Sequence, residues 1–260
     1  MKTADIPISA TKTAPTANIR RVVPQVDCDL KNCETILNIG LFFDGTNNNK
    51  DRDSPSRSNS NIARLYETYK ESGPINCKRI YIPGVGTRFP EIGEYGESKA
   101  GAGCAFGCEG RVVFALLATF NALHQYCLKI HMFDSRSMRA LCNNSIHVAD
   151  EGDSESLGKL GVQHGLLQPD IGSNKNRNEF LKRSAKELEK KLKNGKPRIV
   201  ECFVDVFGFS RGAAQARVFC NWLDQLLVGG RLAGVPLHFR FVGIIDTVAS
   251  AGFGQARQLC

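Results

Sequence analysis

The sequence predicts an α/β fold built on a mostly parallel β-sheet with helices on both faces. Three observations carry this expectation. Apolar runs of strand length alternate with longer stretches of helical periodicity. The runs at 36–43 (ILNIGLFF) and 199–207 (IVECFVDVF) are almost unbroken, as in strands buried on both faces. Four expected strands end in segments that carry polar or glycine-rich residues, and parallel sheets gather reactive groups at that carboxyl edge.

The first strand, 36–43, ends in Asp44-Gly45-Thr46-Asn47-Asn48-Asn49, a run of turn formers. A short helix is expected over 62–70. A second strand, 79–82, runs into Pro83-Gly84-Val85-Gly86-Thr87. A glycine-rich loop at 93–110 leads to a long apolar helix over 112–130. Residues 135–178 are polar without sustained periodicity and read as an insertion. The helix over 178–193 carries Phe180, Leu181, Ala185, Leu188 and Leu192 as an apolar stripe. The strand at 199–207 is followed by Gly208-Phe209-Ser210-Arg211-Gly212 and a helix over 213–227. The last strand, 237–245, ends at Asp246. Residues 1–34 read as a disordered lead-in, and 35–260 as one domain.

At 260 residues and 42% hydrophobic content the chain can bury a substantial core. No apolar run approaches the roughly 20 residues that span a bilayer, and the N-terminus lacks the apolar stretch of a signal peptide. The net charge of +8 is concentrated in Lys182, Arg183, Lys186, Lys190, Lys191, Lys193, Lys196 and Arg198. This block reads first as the solvated face of a helix, and second as a surface attracted to anionic lipid. Nucleic acid is not expected as a partner, because the block has no interleaved aromatics and no reading motif. The ten cysteines form no paired CxxC ligand sets and read mostly as free thiols, with Cys202 and Cys220 in apolar segments.

The chemistry points to Ser210. An apolar strand, a G-x-S-x-G turn and a helix of small residues (Gly212, Ala213, Ala214, Ala216) follow one another without a gap. A serine hydroxyl becomes a useful nucleophile when a sharp turn holds it out beside a base and an anion-stabilising pocket. The backbone N–H of Arg211 is then the first oxyanion donor, and Gly45 or Thr46 supplies the second from a neighbouring loop. Asp246 ends an apolar strand and is the expected acid that orients a histidine. The reaction needs no metal and no cofactor.

The histidine is not evident. None follows Asp246. His238 opens the strand that closes at Asp246, about 26 Å away at roughly 3.3 Å per residue. His124 lies in an apolar helix, nothing specifies His147 or His164 in the insertion, and His131 is the fifth histidine of the chain. The base is therefore expected outside the chain, which makes 35–260 an incomplete hydrolase domain.

Together these residues resemble a known family, the catalytic domain of the Tle-type phospholipase effectors of bacterial type VI secretion. The matching blocks are 38–48 (NIGLFFDGTNN), 81–87 (YIPGVGT), 208–213 (GFSRGA) and 241–250 (FVGIIDTVAS), in the family's order. The resemblance implies an α/β-hydrolase core, a Ser–Asp–His triad and hydrolysis of phospholipid acyl esters. Ser210 matches the nucleophile and Asp246 the acid, while the family's histidine lies well beyond that aspartate. The implied setting is a toxin made in the cytoplasm and exported without a cleaved signal. Its target is the periplasm and membrane of a rival cell, and its expected partners are an immunity protein and a secretion-spike protein. Two other readings fit the same residues: an esterase or thioesterase with a soluble substrate, and a non-catalytic interaction module.

Overall fold

The computed structural model describes residues 34–69, 76–97, 107–143, 151–167 and 173–248. The element order is β1 (Glu34–Phe43), α1 (Lys50–Asp53), α2 (Asn61–Thr68), β2 (Cys77–Ile82), a 3-10 turn (Pro90–Ile92), α3 (Cys108–Leu128), α4 (Ser135–Cys142), α5 (Glu151–Lys159), α6 (Ser173–Leu192), β3 (Arg198–Phe209), α7 (Arg211–Asp224), β4 (Arg231–Leu232) and β5 (Val235–Ile245). Residues 1–33 of the expected lead-in and part of the glycine-rich loop lie outside the described residues, while Glu34 already belongs to β1.

The five strands form one sheet in the order β2-β1-β3-β5-β4. The β2–β1, β1–β3 and β3–β5 pairs are parallel, and only the short β4 is antiparallel, against β5. The chain therefore folds as an α/β domain with a mostly parallel sheet, an arrangement consistent with an α/β-hydrolase-like core. From β1 the chain moves outward to β2, then crosses back over β1 to reach β3. The crevice between the carboxyl ends of β1 and β3 is thus the topological switch point, where open α/β sheets bind ligands.

Helix α2 covers one face of the sheet, and α3 and α7 cover the other. On the α2 face, Phe42 stacks on Phe207 with centroids 4.9 Å apart and meets the rings of Tyr66 and Tyr69 edge-on. On the other face, Phe43 packs against Phe219 of α7, amid Leu37, Ile39, Val204, Val206 and the apolar side of α3. The unbroken apolar character of β1 is explained by burial of both its faces. A buried Asp205 on the α2 face is held by Arg240 and by the Tyr69 hydroxyl at 2.9 Å, and Arg240 also reaches Asn38. It is a structural partner, as a mid-strand carboxylate should be.

The stretch 135–178 departs from the sequence reading. Its described residues contain α4, α5 and the start of α6, helices that the polar, weakly periodic sequence does not announce. Asp134 caps α4 by accepting the Ser137 N–H at 2.7 Å, and Met138, Leu141 and Cys142 bury its inner side. Asp153 and Glu155 are taken up by Arg139 and Lys159. Helix α6 does bury Phe180, Leu181, Ala185 and Leu188. Its basic C-terminal half leads directly into the start of β3, so the densest positive charge sits at the amino end of the sheet, away from Ser210. A lipid surface bound there would leave Ser210 facing away from it. Cys108, Cys127, Cys142, Cys202 and Cys220 carry free thiols. Burial pushes those of Cys202 and Cys220 up to about 12.

Candidate active site

Ser210 stands where β3 turns into α7, with φ 54° and ψ −123°. Few L-residues adopt this conformation, and holding it costs about 1–3 kcal/mol. Its N–H donates to the Ile245 carbonyl at 3.0 Å, so the tip of β5 pins the turn. Its hydroxyl makes no hydrogen bond and does not cap α7. An N-cap serine would have extended backbone and would accept an N–H from the first helical turn, and Ser210 does neither. The flanking glycines are required by close approach. A Cβ on Gly208 would lie 2.7 Å from Ala213 Cα, and one on Gly212 would lie 2.4 Å from the carbonyl oxygens of Phe43 and Asp44. The turn is thus seated directly on the end of β1.

Asp44 organises the facing loop. Its carboxylate is 1% exposed. It accepts from the Gly45 N–H at 2.7 Å, Asn48 Nδ2 at 3.3 Å, and the hydroxyls of Ser60 and Tyr81 at 2.6 Å each. Burial, then the Asp44 charge, pushes the Tyr81 phenol well above its usual range, so it stays a donor. Both Gly45 and Thr46 were expected as second oxyanion donors, but the Gly45 N–H is spent on Asp44. Thr46 keeps an unbonded N–H, and its Oγ1 is buried without a partner. This loop lies against the residue before Ser210, since a Cβ on Gly45 would meet Phe209 Cδ1 at 2.5 Å. The Arg211 N–H, as the first of α7, has no acceptor within the helix. Two free donors therefore flank the turn from β1 and from α7.

The third loop locks onto the first. Gly84 N–H donates to Asn48 O at 2.9 Å and Asn47 N–H to Val85 O at 3.0 Å. A Cβ on Gly84 would fall 1.8 Å from the Gly45 carbonyl oxygen. Gly84→Ala is accordingly expected to cost about 2–3 kcal/mol, because rigid backbone must move. Urea unfolding should show a lower midpoint with an unchanged slope, and an unaltered midpoint would contradict the interlock. Beside this rim opens a cavity of about 760 Å³, lined among others by Lys50, Tyr66, Tyr81, Arg88, Phe89 and Glu91.

Asp246 directly follows β5. Phe209 pairs with Ile245, so Ser210 and Asp246 come next on two adjacent strands, which run about 4.8 Å apart. Asp246 is exposed, has φ 49°, and its carboxylate makes no hydrogen bond. Among the described residues no histidine joins them. His124 is buried and bonded to the Ile130 carbonyl at 2.7 Å, near the end of α3. That end lies at the amino edge of the sheet, where Cys127 meets the Pro197 carbonyl. His131 lines a groove against α3, and His164 a separate cavity near α6. His238 pairs with Phe203, far down β5 from Asp246. His147 lies outside the described residues.

No protein-family model matches the chain, and no curated protein matches it. Among solved structures, it is similar to an uncharacterized protein from Pseudomonas aeruginosa at 33% identity and a TM-score of 0.65. The match covers 83% of this chain and 30% of that one, so this chain spans under a third of the length of the protein it matches.

Proposed function

We propose that this chain is a serine hydrolase domain that cleaves acyl esters of phospholipids, in the setting of an antibacterial type VI secretion effector. The observation that carries the chemistry is the strained, uncapped Ser210 with a free hydroxyl between two unbonded N–H donors. In the reaction, Ser210 Oγ attacks the ester carbonyl while a general base takes its proton. The carbonyl oxygen becomes an oxyanion and accepts from the Arg211 and Thr46 N–H groups; as it re-forms the carbonyl the ester C–O bond breaks and the base returns its proton to the departing alcohol. Water hydrolyses the acyl-enzyme by the same route. Asp246, next after the Ile245 that pairs with Phe209, is the proposed carboxylate that would orient and stabilise a protonated histidine. The choice of phospholipid rests on the four-block resemblance.

The test is labelling by a fluorophosphonate probe with the modified residue mapped, paired with fatty-acid release from phospholipid vesicles. Modification of Ser210 together with fatty-acid release supports the reading. Labelling with cleavage of short soluble esters alone would favour an esterase. A folded protein that takes no probe and releases no fatty acid would favour a non-catalytic module.

A further inference from the structure

Arg211 breaks two local rules at once. It is the first residue of α7, where the helix dipole is positive and a cation is unfavourable, and the first turn holds no acidic residue. It is also half-buried, yet its side chain makes no hydrogen bond and no ion pair. Every other buried or half-buried arginine among the described residues has a carboxylate: Arg79 with Glu67, Arg111 with Glu94, Arg139 with Asp153, and Arg177 with Glu109. A partly desolvated cation without a counter-charge is costly, and natural proteins accept such departures mainly at functional sites.

The surroundings favour an anion. Cys108, the first residue of α3, accepts from Gln215 of α7 at 3.3 Å, so the starts of both helices lie side by side. Neither is capped by a side chain. Across the turn, Thr46 Oγ1 is buried without a partner. Arg211 would serve a substrate through both its parts. Its N–H faces the developing oxyanion, and its guanidinium lies one side-chain length away. That separation is of the same order as the distance between the ester carbonyl and the phosphate of a glycerophospholipid.

We propose that the Arg211 guanidinium binds the phosphate of the substrate, making Ser210 selective for phosphate-bearing esters. The proposal rests on the acyl-transfer reading of Ser210. A guanidinium fork matches a phosphate in shape and charge, and such bonds are about twice as strong as neutral ones.

The experiment compares wild type, Arg211→Gln and Arg211→Lys on phosphatidylglycerol and on diacylglycerol of the same acyl chains, in the same neutral detergent micelles. For Arg211→Gln, kcat/KM on phosphatidylglycerol should fall about 10- to 100-fold. The quantity read is the ratio of kcat/KM on phosphatidylglycerol to kcat/KM on diacylglycerol, which should fall by the same factor. Arg211→Lys keeps the charge and loses the fork, so it should fall between the two. Competition by inorganic phosphate in the wild type but not in Arg211→Gln would show a site for phosphate in general. Selectivity without such competition would assign the site to the lipid headgroup. Equal losses on both lipids, or no loss on either, would overturn the proposal while Ser210 remained reactive. A wild type that cleaves neither lipid and takes no probe would overturn the acyl-transfer reading itself, and this proposal with it.

Discussion

Ser210→Gly is expected to make the protein more stable and, on the proposed serine-hydrolase reading, to abolish ester hydrolysis. The two effects have different origins. The backbone at 210 sits at φ 54° and ψ −123°, a region that only glycine enters without strain. Relief of about 1–3 kcal/mol is partly offset by about 0.5–1 kcal/mol of extra unfolded-state entropy. A net gain of about 1 kcal/mol should raise the melting temperature by roughly 2–4 °C. Loss of the nucleophile should lower ester hydrolysis by ~10⁴-fold or more, since residues of such a unit act together. Ser210→Ala separates the contributions. It keeps the strain, loses a hydroxyl that bonds to nothing, and should leave stability within about 0.5 kcal/mol.

The sign of the stability change decides between two accounts of the same serine. A helix-capping Ser210 would lose about 0.5–2 kcal/mol on conversion to alanine. A serine held out by the turn loses nothing, and its glycine variant gains. Differential scanning calorimetry of the three proteins, alongside probe labelling, reads both quantities. A destabilised Ser210→Gly protein would mean that the turn is not strained, and the case for an activated hydroxyl would go with it.

How much of this arrangement was legible in the sequence depends on the range of the interactions. Strands β1 and β3 were plain because burial on both faces leaves continuous apolar runs. The place of Ser210 was plain because a strand, a glycine-flanked turn and a helix of small residues are contiguous. Helix α4 was missed although Asp134 and Ser137 carried a capping signal. With eight residues and an apolar side of Met138, Leu141 and Cys142, it is too short for its periodicity to stand out. The role of Asp44 could not be read at all. Its partners Ser60 and Tyr81 lie in other elements, and only the fold brings three hydroxyl and carboxyl groups within 2.6 Å contacts. The same holds for Gly45: the motif placed it at the site, but which N–H remained free was decided by where the Asp44 carboxylate turned. The sequence shows what the Arg211 backbone can do, but an unpaired side chain is visible only once the other buried and half-buried arginines among the described residues have their carboxylates.

Arg111 offers the second large effect, on stability first and reactivity second. It is fully buried in the first turn of α3 and supports the loop that follows β2. Nε donates to the Pro83 carbonyl at 2.8 Å, and the two terminal nitrogens reach the carbonyls of Gly84, Thr87 and Gly107 at 3.1–3.3 Å. Glu94 supplies the counter-charge at 2.8 Å. Arg111→Met fills much of the volume but leaves a row of buried carbonyls without donors. Breaking a buried pair in this way costs about 3–5 kcal/mol, a large part of the 5–15 kcal/mol that typical domains hold in reserve. Arg111→Lys keeps a charge but cannot span carbonyls spread over so wide a fork, so it should lose less and remain folded in the cold. The lysine variant carries the functional consequence. Gly84 presses on the Gly45 carbonyl, and that loop presents Thr46, so a slackened 83–87 segment should displace one oxyanion donor. Losing such a donor costs ~10²–10³ in rate. Fluorophosphonate labelling of folded Arg111→Lys should therefore slow markedly at a temperature where circular dichroism shows it intact. Unfolding free energies from urea titration within about 1 kcal/mol of wild type for both variants would show that the buried guanidinium is not what holds the loop.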